Sequence, residues 1–212
     1  MRTLDEVMNK NWNLNFPKAI QIETSSLCNA DCTFCPYTST SKQFSRGNMS
    51  DEVFMKILDE LTEFQPLLVA PYLNNEQLVD KRIINFTRSI RTALPNTFID
   101  ISTNGSALTE KVARELIDPA LSIDEIKINF TTTDPEKYER IMGLNYQKTL
   151  KNVLRFVELA KDNNFQGRYR IIIVESVTPE RDKEFWQKYG VEVKIYTKIS
   201  RGGLIQTGHQ IK

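Results

Sequence analysis

"AIQIETSSLCNADCTFCPY", residues 19–37, is a short alternating apolar run followed at once by all three cysteines of the chain, Cys28, Cys32 and Cys35. The run puts Ile20 and Ile22 on one face and Gln21 and Glu23 on the other, the period of a half-buried strand. The cysteines then follow as C-x3-C-x2-C. Three thiols fall short of a tetrahedral zinc set, and the one histidine, His209, lies far away near the C-terminus. An electron-transfer [4Fe–4S] cluster also takes four cysteines. A cubane gripped by three leaves one iron without a protein ligand, and an open coordination position is what a catalytic metal needs. The plain alternative is that the cysteines are small buried apolar residues, for which a loop of Asn, Asp, Thr and Ser is a poor setting.

Outward from this stretch, strand-like and helix-like segments alternate. Apolar runs at 67–73, 98–102, 125–130, 168–176 and 191–196 read as further strands. Between them, Ser50 caps a helix that Pro66 stops, a second helix carries Val79, Ile83, Phe86, Ile90 and Leu94 up to Pro95, and Thr109 caps a third. A long helix is expected over 146–162 and a shorter one over 179–189. Such alternation predicts right-handed crossovers and a parallel sheet with helices outside, either doubly wound or curved into a partial (β/α)6 barrel. The strands choose between these by their polar faces. Asp100, Ser102 and Asn104, then Lys127 and Asn129, then Arg168 and Arg170, then Glu192 and Lys194 all fall opposite the apolar positions. If the apolar set packs on the helices, the polar set lines a hollow; the alternative is a set of edge strands with one solvated face. The cysteine loop follows the first strand, at the rim where barrel enzymes build their sites.

Composition bounds the rest. A chain of 212 residues with 40% hydrophobic and 26% charged residues can bury a core without staples. With 28 basic and 27 acidic residues, the net charge of +1 offers no basic surface for nucleic acid. No apolar run approaches the roughly 18 residues of a membrane span, and the N-terminus lacks a signal-peptide core. The chain therefore reads as cytoplasmic, where thiols persist as ligands, nucleophiles or buried groups.

The cysteine triplet, with Phe34 before its last member, resembles the signature of the radical S-adenosylmethionine (radical SAM) enzymes, nearest the core domain of SPASM-type peptide maturases. The resemblance runs on in order over about residues 19–196 and implies a [4Fe–4S] cluster on Cys28, Cys32 and Cys35. "LNNEQLVD" (73–80) is similar to the family's Gly-Gly-Glu motif, which implies contacts from Asn75 and Glu76 to the methionyl amino group, although Asn74 and Asn75 replace the glycines. Asparagine tolerates positive φ better than most residues, which lets such a turn form. "STNGSALT" (102–109) resembles the ribose-binding stretch, implying Ser102 and Asn104 as contacts; Asn129 and Arg170 match cofactor-contacting positions. Arg170 equally suits a structural ion pair with Glu192.

What the resemblance implies is a cluster-bound S-adenosylmethionine, one electron from a flavodoxin or ferredoxin, a 5′-deoxyadenosyl radical, and hydrogen abstraction from a substrate, for which a ribosomally made peptide is the first choice. A nucleoside, sugar or tRNA base is the second. A non-catalytic zinc or iron–sulfur module, completed by a partner chain, is the third. Residues 1–18 read as an N-terminal extension, 19–197 as the barrel, and 198–212 as a Gly-rich tail or the start of a further region with auxiliary clusters. Gly202 and Gly203 read as a hinge or plain tail, and His209 as a solvated residue.

Overall fold

Val69, Ile99, Ile101, Ile126, Ile128, Ile171 and Ile173 are all fully buried, and in β3 and β4 they alternate with the polar positions Asp100, Ser102, Lys127 and Asn129. That single pattern organises the chain in the computed structural model, which describes residues 3–10, 15–41, 43–174, 178–201 and 204–205. Six strands form one parallel sheet in sequential order: β1 (Ala19–Gln21), β2 (Leu68–Ala70), β3 (Phe98–Thr103), β4 (Glu125–Asn129), β5 (Arg168–Val174) and β6 (Glu192–Tyr196). β1 and β6 are its two edges and do not pair with each other, so the barrel is partial. The sequence reading of 168–176 runs past β5 into residues outside the described set, as do Gly202, Gly203 and His209.

Eight helices lie along the chain among the described residues: α1 (Leu4–Met8), α2 (Tyr37–Ser41), α3 (Asp51–Phe64), α4 (Ile83–Ala93), α5 (Glu110–Leu116), α6 (Pro135–Met142), α7 (Tyr146–Asp162) and α8 (Pro179–Gln187). The caps read from sequence form: Ser50 accepts the Val53 N–H and Thr109 that of Val112. Val79 does not join α4; it ends a short 3₁₀ turn, Gln77–Val79, that Glu76 caps. Each fully buried aliphatic side chain on the outer face contributes about 1.5–3 kcal/mol, which makes this face the main source of stability.

Three helices, α1, α2 and α6, fall where sequence periodicity offered nothing. α1 closes on itself through a capping box between Thr3 and Glu6, and its Val7 packs with Leu68, Ala70 and Phe98. Those three share the face that carries Asp100, so α1 sits on the inner side of the sheet. α6 has only Tyr138 and Met142 as buried residues, but Asp134 caps it, Pro135 begins it, and Gly143 ends it at φ +66. Stacking of Tyr138 on Phe130, with ring centroids 4.5 Å apart, and the edge of Trp186 on Phe130 at 5.1 Å lock α6 against the strand end and α8.

Candidate active site

The cysteine loop is fastened at three places: after β2, after β3 and at the end of α6. At its start, the Leu27 carbonyl accepts the Glu76 N–H at 3.0 Å, tying it to the segment after β2. Next, Asn29 pairs with Asn104 at 3.0 Å and with Ser106 at 2.8 Å, tying it to the turn after β3. Then the N–H groups of Asp31 and Thr33 donate to the Met142 and Ile141 carbonyls at 3.0 and 2.9 Å. The last carbonyls of a helix have no partner inside it, so the end of α6 is a ready platform for a loop. Gly143 lies so close to Asp31 that a Cβ there would meet the Asp31 Cβ at 2.9 Å. The loop also closes on itself: the Cys28 N–H donates to the Tyr37 hydroxyl at 2.9 Å, and Arg46 covers the Tyr37 ring.

All three cysteines are free thiols, half-buried, and line a cavity of about 310 Å³. Burial pushes the Cys28 thiol up to about 11 and that of Cys32 higher, so thiolate formation must be driven by what binds there. Cys32 Sγ also lies 3.7 Å from the Met142 sulfur. Among the described residues no three His, Cys, Asp or Glu side chains converge on a single-ion site, whereas a cubane takes each thiolate on a separate iron and needs no such convergence.

Asn75, Glu76, Ser102, Asn104 and Asn129 line the same cavity, so five of the six non-cysteine residues singled out in the sequence are brought together. Their local roles differ. Glu76 is buried, and its carboxylate accepts the Leu78 N–H at 3.1 Å, the Thr103 hydroxyl at 2.7 Å and the Asn104 N–H at 2.6 Å. Burial lifts its pKa to about 7 against those three donors. Asn104 spends its amide on Asn29 and Ser106, and Asn129 donates to Ser102 Oγ at 3.1 Å. Asn75 accepts the Leu73 N–H, while its Nδ2 is buried on the cavity wall without a hydrogen-bond partner. An orphaned buried donor beside three thiols is a fit for a polar ligand next to a cluster.

Arg170 does not line this cavity. It lies deeper in the barrel, paired with Glu125 and, at 3.5 Å, with Glu192, the ion pair weighed in the sequence reading. Beside it, Lys127 contacts Asp100 at 2.5 Å and Tyr72 donates to the same carboxylate oxygen at 2.8 Å. Burial raises the pKa of Asp100 and, with the adjacent Asp100 charge, that of Tyr72. The cavity also draws in Gln21, Tyr72, Met142 and Arg201, which sequence reading did not single out. Only Gln21 had a usable signal, its inward position on the first strand.

Residues 22–186 match the family model of the radical SAM superfamily. The chain belongs to that superfamily, whose members are enzymes that use a [4Fe–4S] cluster and S-adenosylmethionine. It is 29% identical over 137 residues to an uncharacterised protein of Methanocaldococcus jannaschii, an alignment covering 62% of this chain and 41% of that protein. A probable GTP 3′,8-cyclase of Pyrobaculum aerophilum is 24% identical over 161 residues, covering 73% of this chain and 47% of the cyclase. The chain thus spans less than half the length of these relatives. Streptococcus suis SuiB, solved with its precursor peptide SuiA, superposes on 97% of this chain and 45% of its own at a TM-score of 0.72 and 17% identity, a likeness of fold. Among the described residues no helix is long and apolar enough to cross a membrane.

Proposed function

We propose that this chain holds its [4Fe–4S] cluster through Cys28, Cys32 and Cys35 and removes hydrogen from a peptide substrate. The observation that carries the reading is one cavity bordered by three free thiols, the unpartnered Asn75 amide and the Ser102–Asn129 pair. When bound, the cluster supplies the electron that opens S-adenosylmethionine to methionine and a 5′-deoxyadenosyl radical. The chain's own part is placement. Asn75 meets the methionyl end, Ser102 and Asn129 meet the ribose, and Glu76 and Asn104 hold the rim segments in register through the bonds described above. Phe34 and Met142 narrow the cavity beside the cysteines and keep water from the reacting carbon.

A low-potential flavodoxin or ferredoxin is the electron donor in this reading, and the cytoplasm, where thiols stay reduced, is its compartment. The peptide is favoured by the breadth of the SuiB likeness and by the exposed edge strand β6, whose Ile195 and Tyr196 remain open to an extended chain. A nucleotide is the second reading, favoured by the probable GTP 3′,8-cyclase relative. Anaerobic reconstitution with iron and sulfide tests the chemistry. The expected result is about four irons per chain and release of 5′-deoxyadenosine on reduction with S-adenosylmethionine. One bound zinc and no nucleoside product would leave the chain a non-catalytic module.

A further inference from the structure

The three thiols do not share one environment. The N–H groups of Asn29 and Ala30 face the Cys28 sulfur. The Cys32 sulfur meets acceptors instead, the Met142 thioether at 3.7 Å and the Met142 carbonyl at 3.9 Å. We infer that Met142 is a positioning residue that keeps hydrogen-bond donors and water off the Cys32 sulfur and thereby holds the reduction potential of the cluster low. The inference deepens the functional reading and rests on it for the cluster on Cys28, Cys32 and Cys35.

The end of α6 acts on Cys32 twice. The backbone donors on either side of this cysteine, the N–H groups of Asp31 and Thr33, are both taken by the Met142 and Ile141 carbonyls, at 3.0 and 2.9 Å. A peptide N–H already bonded to a helix end has little left to offer a sulfur. Met142 then adds its side chain at the same place. It is 1% exposed, lines the thiol cavity, and its thioether has no N–H or O–H, only a weak acceptor. Its position is fixed from both sides: Tyr138, one turn earlier, is buried and stacked on Phe130, and Gly143, with no Cβ to collide with Asp31, lets the helix end meet the loop. Reducing an iron–sulfur cluster adds negative charge, which donors and water at its sulfurs stabilise. Keeping them away makes the cluster harder to reduce and, once reduced, a stronger reductant. That is what passing an electron to a sulfonium requires.

Redox titration of the anaerobically reconstituted chain without S-adenosylmethionine, followed by electron paramagnetic resonance, reads the potential directly. Met142→Gln places an amide donor of similar length beside the sulfur. At a fixed poise it should raise the ratio of reduced to oxidised cluster about ten-fold over the wild type, the effect of one charge-assisted hydrogen bond and an upward shift of about 59 mV for one electron. Met142→Leu, apolar and of similar volume, should keep the wild-type potential. Met142→Ala, which opens room for water beside Cys32, should shift it upward as Met142→Gln does. Iron and sulfide are counted for every chain. Met142→Gln at or below the wild-type potential overturns the inference, and so does Met142→Leu rising as far as Met142→Gln. Should Met142→Gln take up no iron, Met142→Ala decides by the same criterion; if neither loads, Met142 is part of the scaffold that holds the cluster and the inference falls. A wild-type chain that takes up no iron defeats the functional reading and this inference with it. A loaded wild type whose potential the variants leave unchanged defeats the inference alone.

Discussion

The interior of the sheet holds two polar regions that obey different rules. In the deeper one, Arg170 pairs with Glu125 and Glu192, and Lys127 with Asp100, so each cation finds its counter-charge within the chain. At the rim, three thiols, the Asn75 amide and Arg201 face a cavity with partners still to be supplied. Among the described residues, the deeper region retains two orphaned atoms, Asp100 Oδ1 and Arg170 Nε, against a dense set of internal bonds. Both regions are polar strand positions on the same face, yet one is closed by its own charges and the other is left open. Inward polarity alone therefore does not mark a binding residue; the test is whether its partners belong to the chain.

The sharpest trial of that contrast is at the rim. Cys32→Ala should abolish cluster assembly, read as loss of visible absorbance and iron, while the circular dichroism spectrum stays that of the wild type. Global unfolding would show that the loop belongs to the core after all. In the deeper region the opposite split is expected. Arg170→Met leaves the Glu125 charge buried and should cost about 3–5 kcal/mol of stability in chemical denaturation, with the affinity of the folded holoenzyme for S-adenosylmethionine unchanged. Adding Glu125→Gln should recover most of the loss. A selective loss of cofactor affinity in Arg170→Met would join the two regions into one site.

Glu76 belongs to the rim, where its burial raises its pKa. Unfolded, it ionises near 4.5, and folded near 7, so the folded chain holds the proton more tightly across that interval. Its contribution to stability is full below pH 4.5 and is lost as the pH rises through about 7, with a ceiling of about 3 kcal/mol. Glu76→Gln should flatten this fall in melting temperature between pH 5 and 8 (about the interval in question). An unchanged profile would mean that the Glu76 carboxylate is ionised throughout. Gly143→Ala should have the smallest effect on stability, about 1–2 kcal/mol for an alanine forced to positive φ against Asp31. It should also speed the removal of iron by a chelator, because the α6 end that carries Cys32 shifts. A normal chelation rate would detach α6 from the cluster loop.

Much of this was legible before folding. The six strands, their two alternating faces, the Ser50 and Thr109 caps and the helix over 146–162 follow from periodicity and capping chemistry, which act within a few residues. α6 escaped that reading because its amphipathic face is short and its signals are only Asp134, Pro135 and Gly143. α1 escaped for a similar reason, since five residues cannot show a period. Both nevertheless matter: one supports the cysteine loop, the other covers part of the inner face.

The sequence by itself determined that three thiols follow the first strand without a fourth, and that polar and apolar residues alternate along the strands. These depend on order and spacing, which the chain carries in one dimension. Only the tertiary structure decided that Arg170 is spent on Glu125, that Glu76 and Asn104 fasten the rim, and that Arg201 lines the thiol cavity. Hydrogen bonds and ion pairs link residues far apart in the chain, so which polar groups are satisfied internally and which stay available is settled only once the strands lie side by side.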